Sequence, residues 1–305
     1  MLIEQCPDWE AGRQVDFHCH SCYSDGSATP AELLLLADKI KLKAVALTDH
    51  DTVSGIPEFL REAEKYPDLE AWSGVEISTD YFSRELHIVG LLVDHHSEAL
   101  LSFLEKMREQ RKIRNEMIQK KLFSLGYQFS WDEPEFARVE FSNIGRPHFA
   151  GVLVRKYGFA NTQEVFQKLL GHSRPAYVRR KLPTPEEAVK VIRQAGGVPV
   201  WAHPVYRERN ERRFVTRLAK KLRAAGLEGI EGFYSMFGKA ESTMVQEIAQ
   251  LTGLAVSGGS DFHGTNFPEI NLGYGHGGLR VPSELMTELK ERQKAVRMAE
   301  STGRN

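Results

Sequence analysis

VDFHCHSCYSDG, residues 15–26, opens on an apolar run with the character of a β-strand, sets His18 and His20 two positions apart, and follows them with Asp25 and Gly26. Successive side chains on a strand alternate faces, so positions i and i+2 share a face about 6.7 Å apart. His18 and His20 are expected to point together, with Phe17 and Cys19 directed the other way. A divalent cation satisfies two adjacent imidazoles at about 2.1 Å from each nitrogen. A surface strand with two solvated histidines carries the same pattern, so the reading turns on the rest of the chain.

Six further β-rich runs follow: KAVALTDH (43–50), LEAWSGVEIS (69–78), ELHIVGLLV (85–93), GVPVWAHP (197–204), LEGIEGFYS (227–235) and LAVSGGSDFH (254–263). Helix-period segments lie between most of them. TPAELLLLADKI has Thr29 as N-cap and Pro30 at the first helical position, and TPEEAVKVIRQAGG repeats that start and stops on Gly196 and Gly197. This alternation predicts an α/β fold with a parallel-rich sheet wrapped by helices. Residues 97–188 differ. They read as a long charged helix followed by short helices through RPHFAGVLVRKYG and NTQEVFQKLLG, and are expected to form a helical subdomain inserted into the α/β body. The expected organisation is a barrel at 14–96 and 189–285, the insertion at 97–188 as a substrate cap, and a C-terminal helix and tail at 286–305.

The chain has 305 residues, 41% hydrophobic, with 40 basic against 41 acidic side chains, so no global field favours nucleic acid or membrane. The first residues lack a basic stretch leading into an apolar one, and no apolar run of about 18 residues occurs, which predicts a cytoplasmic protein with no membrane partner. Cys6, Cys19 and Cys22 are expected to be free thiols: the C-x-x-C pair lacks a second ligand pair for a zinc knuckle and does not open a helix.

Metal-type residues gather where the strands end. His18, His20 and Asp25 close the first run, Asp49 and His50 the second, Glu76 the third and His203 the fifth; Asp261 and His263 end the last, and His87 begins the fourth. Six of the eleven histidines lie on or beside predicted strands. The C-terminal ends of strands are where α/β sheets and barrels build active sites. So many titratable groups in one cleft would repel or desolvate at large cost without cations.

The ordered set H-x-H…D-G, T-D-H-D, G-x-E, H-x-V-G, A-H-P and S-D-F-H resembles the signature of the PHP (polymerase and histidinol phosphatase) family of metal-dependent phosphoesterases. Within it the chain is most similar to the branch of 3′,5′-nucleoside bisphosphate phosphatases and 5′→3′ exoribonucleases, whose helical insertion carries an R-x-H-F-A run, here Arg146 to Ala150. The resemblance implies a distorted (β/α)7 barrel holding two to three divalent transition-metal ions, Mn²⁺ first and Fe²⁺ or Zn²⁺ as alternatives. It implies one ion on His18, His20, Glu76 and Asp261, a second on Glu76, His87 and His203, and a third on Asp25, His50 and His263. Three divalent ions against three carboxylates and a bridging hydroxide leave about two positive charges for a phosphate. The implied reaction is attack on phosphorus by a metal-activated hydroxide, on a phosphorylated nucleotide or short RNA 5′ end.

Asp49 is a candidate to orient a ligand imidazole, or to cap the helix after TDHDT. Arg146 and His148 are candidate catalytic and substrate-binding residues, and Arg174 and Tyr177 candidate contacts to phosphate and base. Relatives often read AHPGRY where this chain reads AHPVYR, residues 202–207, and Arg207 is the candidate replacement for the missing arginine. The basic segments KMREQRKIRNEMIQKK and RERNERRFVTRLAKKLR read as solvated helix faces or as tracks for RNA phosphates. Trp72 and Trp201 are expected in the core, and His95, His96 and His172 on the surface. A small-metabolite phosphatase of the histidinol-phosphate type and a metal-binding regulatory module without turnover are the alternative functions. No obligate protein partner is evident.

Overall fold

The computed structural model describes residues 13–137, 144–205 and 211–302. The seven expected strands are all present: β1 (Val15–Cys19), β2 (Ala44–Leu47), β3 (Glu70–Tyr81), β4 (Arg84–Leu91), β5 (Val198–Trp201), β6 (Gly229–Tyr234) and β7 (Ala255–Gly259). They form one sheet in sequence order. Just beyond β7 the Asp261 N–H donates to the His18 carbonyl (2.8 Å) and the His20 N–H to the Phe262 carbonyl (2.9 Å), bringing the last strand back to the first. The result is a nearly closed barrel. Most neighbours are parallel, but β4 runs antiparallel to both β3 and β5. A hairpin with Phe82 and Ser83 at its turn joins β3 to β4 where a helical crossover would otherwise stand, and this is the barrel's distortion.

Around the barrel lie α1 (Pro30–Lys39), α2 (Ile56–Ala63), then, after a longer excursion, α7 to α10. Thr29 caps α1 in a capping box with Glu32, and Thr184 caps α7 (Pro185–Gln194) with Glu187, as the sequence predicts. Gly196, the residue after the α7 C-cap, adopts φ 66°, the left-handed stop that glycine makes without steric cost. Helices α8 (Glu211–Ala224), α9 (Lys239–Thr252) and α10 (Leu285–Thr302) complete this unit, which runs to Phe103 and resumes at Pro183.

A second compact unit comprises Leu104–Leu182. Most of α3 (Glu98–Ser124) lies in it, with α4 (Pro134–Ala137), α5 (Arg146–Tyr157) and α6 (Thr162–Val165), the last running into a π-helical turn at Phe166–Leu170. It has a core of its own, built from Ile118, Leu122, Phe129, Phe136, Phe149 and Leu153 among others, so its helices have an apolar surface to bury without help from the sheet.

Alternation along β3 puts Trp72, Gly74 and Glu76 on one face. Trp72 belongs to a buried cluster with Phe17, Ala46, Val89, Val200 and Ala255, drawn from strands all around the sheet, and its ring stacks on Phe17 at 4.3 Å. The barrel interior is thus apolar below and carries Glu76 above. Val15 and Phe17, two positions apart on β1, both lie in this cluster, and the register between β1 and β2 shifts between Asp16 and Cys19. Trp201 is fully buried as expected. Cys19 is buried and Cys22 exposed, both free; Cys6 lies outside the described residues.

Closure between β7 and β1 depends on Gly259. A Cβ there would stand 2.4 Å from both the backbone N and the Cβ of His18. Gly259→Ala is expected to destabilise the fold by about 1–3 kcal/mol, read as a lower urea midpoint. Gly278→Ala, where nothing lies within 4 Å of an added Cβ, should change it by no more than about 0.5 kcal/mol.

Candidate metal centre

The rim at the ends of the parallel strands collects the expected residues. His18 and His20 leave β1, Asp25 follows in the next turn, His50 follows β2, Glu76 sits in β3, and His203, Asp261 and His263 follow β5 and β7. His87 reaches the same rim from the start of its strand because β4 is antiparallel, paired at Ser78↔His87. His203 and Asp261 take positive φ (30° and 57°), a conformation non-glycine residues hold only when their surroundings fix it. Here the His203 N–H donates to Glu231 Oε2 (2.7 Å) and the Asp261 N–H to His18 O (2.8 Å).

Among the described residues three groups of donor atoms adjoin one another, each with its atoms within 4.8 Å: His18, His20, Glu76 and Asp261; His20, Asp25, His50 and His263; and His50, Glu76 and His87. The first coincides with the set expected for one ion. The structure adds His20 to the Asp25 group and places His50 with Glu76 and His87. His203 approaches Glu76 Oε1 at 3.2 Å without joining that third group. Glu76 Oε2 lies 3.3 Å from His18 Nε2, 3.2 Å from His20 Nε2 and 2.9 Å from His50 Nδ1, while Oε1 lies 2.9 Å from His87 Nδ1.

Hydrogen bonds behind the cluster set the histidines' orientations. His18 Nδ1 meets Glu231 Oε1 (3.1 Å), which turns its Nε2 toward Glu76 and Asp261. His263 Nδ1–H donates to the Asp261 carbonyl (2.8 Å), leaving Nε2 toward Asp25. Tyr234 O–H donates to Asp261 Oδ2 (3.0 Å). Buried Asp16 accepts from the N–H groups of His18, Ser260 and Gly273, locking the β1 end to β7 and to the glycine-rich loop. Glu231, Tyr234 and Asp16 were not singled out from the sequence. A glutamate inside the apolar strand GIEGFY was the available signal for the first.

Asp49 has neither role expected of it. Its oxygens accept from Ser21 N–H (2.7 Å) and from the hydroxyls of Ser21 and Ser24 (both 2.6 Å), so it holds the loop between β1 and α1 and neither orients His50 nor caps α2, whose N-cap is Gly55. The two aspartates of TDHD flank His50 as anchors, Asp51 accepting from Ser78 N–H and hydroxyl.

The electrostatics favour cations. Burial works against charge on Glu76, yet His50, His18 and His87 hold its pKa well below the carboxylate range. Asp261 is held low in the same way by His18 and His20. Burial opposes protonation of His18 and His87, but Glu76 and neighbouring carboxylates raise both well above the usual imidazole value. His18 Nε2, both nitrogens of His20, His50 Nδ1 and Glu76 Oε2 are buried without a hydrogen bond. Such orphaned atoms are rare in a packed interior. Imidazole and carboxylate donors with no thiolate suit Mn²⁺, Fe²⁺ or Zn²⁺, so the residues present fit the ions the resemblance implies.

Four further candidates, Arg146, His148, Arg174 and Tyr177, lie in the helical unit. Arg146 stands 5.6 Å from the Tyr177 ring and 5.7 Å from the Phe166 ring, a guanidinium between two aromatics. His148 Nδ1 accepts from Gly145 N–H (2.9 Å), which closes the first turn of α5. Arg174 is exposed, and His172 packs against Tyr177. Arg207 lies outside the described residues.

A family model described as the PHP domain matches residues 16–195. A 5′-3′ exoribonuclease of Haemophilus influenzae is 32% identical over 82% of this chain and 90% of its own length. A 3′,5′-nucleoside bisphosphate phosphatase of Chromobacterium violaceum is 34% identical over 82% of this chain and 87% of its own. Among solved structures, a Bifidobacterium adolescentis protein provisionally designated a metal-dependent phosphoesterase superposes with a TM-score of 0.80 at 29% identity, covering 92% of this chain and 96% of that one. With the fold, the donor groups and these relatives in agreement, the chain belongs to the PHP domain family, as a metal-dependent hydrolase of phosphate esters.

Proposed function

We propose that the enzyme hydrolyses phosphate esters of nucleotides, 3′,5′-nucleoside bisphosphates and the phosphorylated 5′ ends of short RNA, with His18, His20, Asp25, His50, Glu76, His87, His203, Asp261 and His263 as its metal ligands. The observation that carries the reading is three adjoining donor groups linked through buried Glu76 and His20, with ring nitrogens left unsatisfied. The substrate class rests on what the two relatives act on. Bound divalent cations would supply Lewis acidity toward a phosphoryl oxygen and a water nucleophile at neutral pH.

The protein's own contribution is placement. Glu231 fixes the His18 ring and the His203 backbone together, so two strand ends move as one. Burial and neighbouring carboxylates push the Tyr234 phenol far up, so it stays a donor to Asp261 at any working pH. Arg146 between two rings suits a phosphate beside a base, and with His148, Arg174 and Tyr177 it is the proposed substrate contact of the helical unit.

After reconstitution with Mn²⁺, Fe²⁺ or Zn²⁺, phosphate release is expected from adenosine 3′,5′-bisphosphate, and nucleotide release from a 5′-phosphorylated oligoribonucleotide. Absence of both with every metal would sink the nucleotide reading. His203→Ala and Asp261→Ala are each expected to lose at least about a hundredfold in activity with the circular dichroism spectrum retained. Glu231→Gln, which keeps the shape and weakens the support of His18, should weaken metal affinity by about 10–100-fold, measured by elemental analysis after dialysis against graded chelator.

The pKa directions give a pH dependence for the metal-free protein. His18 and His87 contribute stability that is full below the ordinary imidazole range and is lost as pH rises through their raised values. Glu76 and Asp261 contribute stability present above the ordinary carboxylate range and lost only as pH falls through their depressed values. Tm is therefore expected to peak in mild acid, near pH 5–6, and to fall toward pH 9. Added Mn²⁺ competes with protons for the same nitrogens, so its stabilising increment should be larger at pH 8.5 than at pH 5.5 in a thermal melt.

A further inference from the structure

The β3–β4 hairpin ends in an unusual turn. Phe82 and Ser83 both hold positive φ (49° and 74°), the geometry of a two-residue turn that prefers Asn and Gly because a bulky side chain is strained there. The Phe82 side chain is 86% exposed. A residue that is unfavourable in its backbone and in its solvation is unlike the rest of the fold.

Its surroundings are aromatic and basic. Tyr81 meets Phe82 edge-on at 4.8 Å and lies near Phe214 of α8. Arg84 stands over the Phe214 ring at 4.5 Å and Lys221 over the Tyr81 ring at 4.9 Å. Beyond them α8 presents Arg212, Arg213, Thr216, Arg217 and Lys220, which with Leu251 of α9 line a groove of about 720 Å³. Arg212 pairs with Glu247 and Lys221 with Glu186, whereas Arg213, Arg217 and Lys220 form no ion pair among the described residues. Within the α8 segment Phe214 is the one aromatic among the basic residues, and the fold adds Tyr81 and Phe82 from the hairpin. His87 is three residues from Arg84 along β4, about 10 Å, so the aromatic tip stands beside the metal-type cluster.

We infer that the hairpin tip and the exposed face of α8 form a binding platform for single-stranded RNA, Phe82 and Tyr81 stacking on bases while Arg213, Arg217 and Lys220 follow the phosphates. The inference rests on the nucleotide reading above and extends it to the strand beyond the reacting end. A strained, exposed aromatic beside unpaired cations is complementary to a flexible polyanion whose bases are unstacked, and a duplex would offer phosphates but no free base faces.

The test is fluorescence anisotropy of a labelled ten-nucleotide single-stranded RNA in EDTA, where binding does not require turnover. Phe82→Asn relaxes the turn, so it should leave Tm equal or raised while weakening RNA binding about tenfold. The variant Arg213→Ala, Arg217→Ala, Lys220→Ala should weaken binding and reduce the slope of log K against log salt by about 2. With metal restored, both variants should hydrolyse adenosine 3′,5′-bisphosphate as wild type does, with the KM defect confined to the oligonucleotide. Unchanged RNA affinity in both variants, no RNA binding by the wild type, or equal loss on a duplex would overturn the platform. Loss of all hydrolysis with the binding differences intact would refute the nucleotide reading alone.

Discussion

Glu76 is fully buried and has five imidazoles around its two oxygens, those of His18, His20, His50, His87 and His203. A carboxylate removed from water costs several kcal/mol unless other charges replace the solvent. Each of those histidines arrives from a different part of the barrel except the first two, so compensating Glu76 requires the ends of β1, β2 and β5 and the start of β4 to meet at one height. The same requirement explains the anchors. Asp16, Asp49, Asp51 and Glu231 are themselves buried, and each accepts from backbone N–H groups or serine hydroxyls, while Glu231 also meets the His18 ring. The rim is held by carboxylates on both sides of the histidines.

That arrangement makes the site a poor place for water and a good one for cations. The acids keep their charge because the surrounding imidazoles offset it, and those imidazoles bind protons more tightly in return. Outer hydrogen bonds fix the rings of His18 and His263, to Glu231 and to the Asp261 carbonyl.

Much of this was legible in the sequence, for identifiable reasons. The strands were read from short β-branched and apolar runs, and seven of seven are present, with metal-type residues on or just after six of them. The clustered donor positions were readable because histidine and aspartate at strand termini have few structural uses. Glu231 was not, since one glutamate in an apolar strand gains meaning only when β6 is placed between His203 and His18. Asp49 was misread because its partners, Ser21 and Ser24, lie in the loop after β1, and proximity to His50 in sequence does not reveal them. The hairpin and α8 were invisible as a unit, being far apart in the chain and joined only by the turn of the sheet.

The antiparallel β4 links these points. In a regular barrel every strand would deliver its C-terminal end to the rim and leave through a loop to a helix. Here β3 continues past Glu76 and the chain returns directly, so the rim gains the start of a strand as well as the end of one. That return places His87 against Glu76 and, a few residues earlier, thrusts Tyr81 and Phe82 beyond the edge of the sheet. A helical crossover would have covered this edge and removed both. One departure from the repeating pattern thus supplies a histidine to the buried carboxylate and an aromatic edge to the surface, and the strain in the Phe82–Ser83 turn is the local cost of keeping that edge outside.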